Sequence, residues 1–142
     1  MKTVKQLLST KLVQIFSVTE QASVLEALKV MMEKNISALL VLEGQELKGI
    51  FTERDYARKI VLHGKSSAET AINEVMTSNP ITVSPTDSID FCMGIMTDKH
   101  IRHLPVMEDN KLLGMVSIGD MVKFIIEDQK QTISQLENYI SS

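Results

Sequence analysis

The sequence predicts a mixed α/β (α+β) fold: two β-α-β-β-α repeats packed face to face in pseudo-twofold symmetry. Three observations carry that expectation. A seven-residue stretch, Gly49-Ile50-Phe51-Thr52-Glu53-Arg54-Asp55, returns as Gly114-Met115-Val116-Ser117-Ile118-Gly119-Asp120. The offset between copies stays at 65 residues from Val18/Val83 to Ile60/Ile125, and twelve of those 43 ungapped positions are identical. Apolar spacing alternates between short β-rich runs and helical stripes, and one such unit is too small to bury both faces of its sheet. Two copies covering one another solve that problem. The repeats take residues 1–65 and 66–128, with residues 129–142 as a helical extension.

In chain order, residues 4–8 (Val-Lys-Gln-Leu-Leu) form a short apolar-spaced turn, echoed by Ile72–Met76. Val13–Val18 and Ile81–Val83 are β-rich and read as strands. A helix follows each. Thr19 heads the first, with Val24, Leu25, Leu28, Met31 and Met32 on one face. For the second, Ser84-Pro85-Thr86-Asp87 supplies a cap and a proline suited to the first helical turn, and Ile89, Met93 and Met96 continue the stripe. Ile36–Leu42 and Ile101–Met107 are the next strands. Each turns through a polar stretch, Glu43–Glu46 or Glu108–Lys111, and returns as Leu47–Phe51 or Leu112–Val116, a hairpin with a loop of several residues. Second helices run from Asp55 to about Leu62 and from Asp120 to about Asp128. Polar and small residues 63–71 connect the repeats. From Glu127 the chain stays helical, and Ile126, Ile133, Leu136 and Ile140 make a partial apolar stripe. That stripe either packs back on its own domain or meets a second chain.

Composition narrows the function. Cys92 is the single cysteine, which rules out an intrachain disulfide; its apolar surroundings imply a buried thiol and a reducing, cytoplasmic setting. The N-terminus alternates Lys2, Lys5 and Lys11 with Val4, Leu7 and Leu8, unlike a signal peptide, and no apolar run approaches the roughly 18 residues of a membrane span. Net charge is −3, split as +3 over residues 1–65 and −6 over 66–142. With no tryptophan, six aromatics and no basic run, a nucleic-acid surface is not expected. Cys92 and the three histidines form no nucleophile–base pair and no metal-ligand spacing, so neither an enzyme nor a metal site is expected.

The duplicated corners are the candidate chemistry. A strand passing into a helix offers unpaired N–H groups to an anion. A ribose diol needs a carboxylate that accepts two hydrogen bonds, and Asp55 or Asp120 can supply it. Arg54 and Arg58 lie close enough to add positive charge. Thr52 with Asp55, and Ser117 with Asp120, can equally act as helix caps. No Gly-x-x-x-x-Gly-Lys-Ser/Thr or Gly-x-Gly-x-x-Gly occurs, which argues against a nucleotide hydrolase or a dinucleotide-binding βαβ unit.

The two corners, together with Met76-Thr77-Ser78-Asn79-Pro80-Ile81-Thr82-Val83 and Ile101-Arg102-His103-Leu104-Pro105-Val106, resemble the CBS domain, named after cystathionine β-synthase, present as a tandem pair over about residues 4–128. The resemblance implies a non-catalytic regulatory module that binds an adenine nucleotide (AMP, ADP, ATP, NAD or S-adenosylmethionine) between its repeats. It also implies a homodimer, a flat four-repeat disc, acting on an unidentified regulated protein. In such pairs the corner hydroxyl contacts phosphate and the aspartate holds the ribose. The leader of the opposite repeat contacts the base. Carried over, one cleft uses Thr52, Arg54 and Asp55, with Thr77, Ile81 and Thr82 on the base side and Arg102 and His103 toward the phosphates. The other uses Ser117 and Asp120 with Ser37 and the leader Lys11–Ser17. That leader is three residues longer than its counterpart and lacks the Met-Thr-x-Asn-Pro pattern, which makes the Asp55 cleft the better candidate. The competing reading is a dimerisation module with degenerate clefts.

Overall fold

The computed structural model describes residues 1–141. Helix α1 (Val4–Ser9) leads to β1 (Ser17–Val18), α2 (Val24–Lys34), and the hairpin β2 (Ala38–Glu43) and β3 (Glu46–Thr52). One α-helical turn, α3 (Glu53–Asp55), then widens into a π-helix over Tyr56–Val61. A 3₁₀ turn (Ile72–Glu74) and β4 (Thr77–Ser78) open the second repeat, followed by α4 (Ile89–Lys99), the hairpin β5 (His103–Glu108) and β6 (Lys111–Ser117), and α5 (Ile118–Ser141). The first sheet has the order β1-β2-β3-β4, parallel between β1 and β2 and antiparallel elsewhere. In the second, Val83 bridges Val106 in parallel where β1 has its counterpart.

The two hairpins are copies in detail. Each bulges at the same place, between Val41 and Leu42 and between Val106 and Met107. α2 and α4 end on left-handed caps, Asn35 and His100, both at φ 54. The hairpin turns are tighter than the several-residue loop read from sequence. Gly44 and Gln45 make one; Asp109 and Asn110, at φ 51 and 62, make the other, as a type I′ turn requires.

Other expectations are corrected. α2 begins at Val24 rather than at Thr19, because Ser23 takes extended backbone and accepts the Glu26 N–H at 3.1 Å. α4 begins at Ile89 for the same reason: Ser88 accepts the Phe91 N–H at 3.0 Å. Ser84-Pro85-Thr86-Asp87 is instead a turn in which the Asp87 carboxylate accepts the Ser84 N–H at 2.7 Å. The strand expected over Val13–Val18 pairs only at Ser17–Val18, and Ile81–Val83 contributes only the Val83 bridge. The second helix of the second repeat and the helical tail expected from Glu127 form one unbroken helix to Ser141.

Two cores form, and each borrows from the other repeat. Val24, Ala27, Met31, Leu39, Val41, Phe51 and Ile60 pack with Ile72 and Val75. Ile89, Cys92, Met96, Leu104, Val106, Val116 and Met121 pack with Val4 and Leu7. Backbone bonds tie the exchange: Ile72 N–H to the Ala22 carbonyl at 2.7 Å, and Val4 N–H to the Asp87 carbonyl at 2.9 Å. A third apolar layer, Ala38, Leu40 and Ile50 with Leu47, Leu112 and Met115, joins the hairpins to each other, so β2 is buried on both faces. The exchange explains both corner glycines. A Cβ at Gly49 would lie 2.8 Å from the Thr77 carbonyl, and one at Gly114 would lie 3.0 Å from a Val13 methyl. Each glycine lets the other repeat's leader cross its strand.

Candidate functional site

β3 delivers Thr52 to the start of α3, where its side chain and that of Asp55 form a reciprocal capping box. Asp55 is only 8% exposed. Its Oδ2 accepts the Thr52 N–H at 3.0 Å and the Thr52 hydroxyl at 3.2 Å. Its Oδ1 pairs with the Lys59 ammonium at 3.2 Å and lies 3.4 Å from the Thr77 hydroxyl. Lys59 also donates to the Val75 carbonyl at 2.9 Å and does not line the cleft that Asp55 faces.

In the second repeat the Asp120 carboxylate accepts the Ser117 N–H at 2.9 Å, and the Ser117 hydroxyl accepts the Asp120 N–H at 3.0 Å. Here the cation comes from the leader: Lys11 pairs with Asp120 at 2.8 Å and donates to the Met115 carbonyl at 3.0 Å. Burial works against ionisation of Asp120, but the Lys11 and Ser117 hydrogen bonds outweigh it and hold the carboxyl below its ordinary value.

Each corner faces a cleft between the repeats. The first, about 420 Å³, gathers Ser37, Thr52, Arg54, Asp55, Thr77, Ile81, Arg102 and His103. Ile50, Pro80 and Ile101 give it an apolar wall, and Glu53 and His100 complete its rim. Thr82 does not line it: its side chain is exposed, one position beyond Ile81. The second cleft, about 400 Å³, holds Ser117, Asp120, Ser37 and His103, with Lys11 inside it. Ser37 was expected in the second cleft and His103 in the first; both line both. Ser37 Oγ lies 3.2 Å from His103 Nε2, so this pair forms the partition between the clefts. Burial pushes the His103 imidazole below its ordinary value, against an opposing pull from Asp120. Arg54 crosses the first cleft's mouth and donates to the His100 carbonyl of the other repeat.

Sequence reasoning passed over Lys59 as a partner of Asp55, although its i+4 spacing on a helix is a readable signal. The Lys11–Asp120 pair spans 109 residues and had none. Among the described residues no cluster of metal-ligating side chains occurs, and no helix is long and apolar enough to cross a membrane.

The sequence pattern of the family described as CBS domain matches twice, at residues 4–62 and 72–127. The chain is 42% identical over 127 residues to the CBS domain-containing protein CBSX3, mitochondrial, of Arabidopsis thaliana, covering 86% of this chain and 62% of that one. It therefore spans somewhat under two thirds of that relative's length. A solved protein with CBS domains from Burkholderia ambifaria is 48% identical, with a TM-score of 0.87 over 90% of this chain and 96% of that one. More distant is the CBS domain protein PAE2072 from Pyrobaculum aerophilum, solved in complex with AMP. It is 24% identical, with a TM-score of 0.74 over 83% of this chain and 88% of that one.

Proposed function

The chain belongs to the CBS domain family as a tandem pair of repeats, and from that premise we propose that it is a non-catalytic regulatory module. It binds an adenine nucleotide (AMP, ADP, ATP or NAD) in the Asp55 cleft and passes ligand state to a partner protein. The AMP held by the Pyrobaculum neighbour supports that ligand class.

The observation that carries the reading is the difference between the two corner carboxylates. Asp120 is met inside its cleft by the Lys11 ammonium, and a ribose entering there has to displace an ion pair. Asp55 is held from behind by Lys59, and toward the cleft it meets the Thr77 hydroxyl at 3.4 Å, the far limit of a hydrogen bond. A ribose hydroxyl replaces that weak contact at little cost. Arg54, Arg102 and His103 lie on the same cleft, where guanidinium groups suit phosphate oxygens. Ile50, Pro80 and Ile81 offer an apolar wall to a purine. Thr82 has no part in it.

A second reading, an interaction module with degenerate clefts, draws support from one fact. No buried side-chain nitrogen or oxygen among the described residues lacks a partner, so both corners are satisfied without ligand. Calorimetry with AMP, ADP, ATP, NAD and S-adenosylmethionine separates the two. The sensor reading expects at least one dissociation constant below about 1 mM; heat-silent titrations with all five leave the interaction module standing. The buried Cys92 thiol, pushed up to about 11 by burial, is held protonated and suits a reducing, cytoplasmic setting.

A further inference from the structure

Each corner carboxylate needs a cation, and the two corners find one on different sides. At Asp120 the cation is Lys11, which lies in the cleft. At Asp55 it is Lys59, four residues along in the π-helix and absent from the cleft's lining. The 65-residue offset sets Phe124 where Lys59 stands, and Phe124 packs on the second core. The Lys59 ammonium is held by two acceptors, Asp55 Oδ1 at 3.2 Å and the Val75 carbonyl at 2.9 Å. It therefore ties the corner to the leader that carries Thr77.

A carboxylate has about four acceptor directions. On Asp55 three have firm partners: the Thr52 N–H at 3.0 Å and the Thr52 hydroxyl at 3.2 Å on Oδ2, and Lys59 on Oδ1. The fourth, on Oδ1, meets the Thr77 hydroxyl at 3.4 Å, and Thr77 lines the cleft. We propose that Lys59 is a positioning residue: it holds Asp55 from outside the cleft and keeps this one acceptor turned toward a ribose hydroxyl. The site then selects a ribonucleotide over the deoxynucleotide that lacks that hydroxyl. The inference rests on the adenine-nucleotide reading of the Asp55 cleft.

Removal of the lysine shows what it does. Asp55 is 8% exposed, and a buried carboxylate left without its cation either finds another or takes up a proton. The arginines that remain at the cleft, Arg54 and Arg102, both line it. A carboxylate that turns to either of them is plugged from the cleft side, as Asp120 is by Lys11. A carboxylate that takes up a proton becomes a donor where the ribose needs an acceptor. Either way the hydroxyl contact is lost.

Calorimetry with AMP and ATP, each beside its 2′-deoxy and 3′-deoxy forms, tests the role. The wild type is expected to bind one deoxy form about tenfold more weakly than the parent nucleotide, the scale of a hydrogen bond to a charged group. Lys59→Met is expected to weaken the parent nucleotide and to abolish that preference. A lysine with a merely structural role would lower all the affinities together and leave their ratio intact. Hydrogen exchange of the two cores reports whether the variant is folded. Should Lys59→Met unfold, Lys59→Gln, which is also neutral but keeps an N–H donor for the Val75 carbonyl, is expected to give the same loss of preference. A folded variant that keeps the preference, or a wild type that binds parent and both deoxy forms equally, would overturn the inference and leave the nucleotide reading standing. A wild type that binds neither AMP nor ATP would overturn the inference as well, and the nucleotide reading would then turn on ADP and NAD.

Discussion

Lys11 is the residue that makes the two clefts unequal. Its ammonium occupies the Asp120 carboxylate that a ribose would need. Replacing it with alanine is expected to raise nucleotide stoichiometry from one toward two per chain by calorimetry, without weakening the first site. His103 gives a pH dependence of defined sign. Burial holds its folded value below 6.5, so between the two values the unfolded chain binds more protons and stability falls as pH drops through that window. A bound phosphate pulls the imidazole the other way, so the ligand brings a proton with it. Affinity is then expected to strengthen from pH 7.5 to 6, with proton uptake seen as buffer-dependent heats and abolished by His103→Gln. The corner residues Thr52, Asp55, Ser117 and Asp120 were legible because they repeat at a fixed offset. Their lysines were not, because one pair depends on which side of a helix faces the core and the other on tertiary contact across 109 residues.

At the scale of elements, the corner glycines report how closely the leaders cross the strands. A methyl at Gly49 meets the Thr77 backbone carbonyl at 2.8 Å, which cannot rotate away, and the Met76 sulfur at 2.7 Å. Gly49→Ala is expected to cost about 1–3 kcal/mol by denaturant unfolding, as an overpacked site does. Gly114→Ala meets only side-chain atoms of the exposed leader, the nearer at 3.0 Å, and is expected to cost less. The hairpins were readable because apolar runs bracket polar turns. The helix starts were misplaced by four residues because Thr19 and Ser84 carry the same capping signal as Ser23 and Ser88; the choice falls to the serine that anchors the leader crossing. That anchoring is visible at the Ser23–Ala71 and Thr3–Ser88 bridges. The π-helix over Tyr56–Val61 and the two-residue β4 leave no periodic trace.

At the scale of the molecule, the exchange of leaders ties each core to residues of the other repeat. Leu7 is 2% exposed in a core built, Val4 aside, from residues 83–121. Leu7→Ala is expected to cost about 2–5 kcal/mol. Its footprint in hydrogen exchange should fall on β5, β6 and α4 rather than on β2 and β3. The pseudo-twofold arrangement followed from the duplication, but the exchange did not, since a leader's apolar spacing suits either core. The same crossing sets Thr77 and Ile81 against the Asp55 corner, and Lys11 against the Asp120 corner. The central claim is therefore that one fold yields one open cleft and one plugged cleft. Titration of the best-binding adenine nucleotide into Asp55→Asn and Asp120→Asn chains tests it most directly. The account predicts at least a tenfold loss of affinity for Asp55→Asn and little change for Asp120→Asn. Equal losses, or a loss confined to Asp120→Asn, would contradict it.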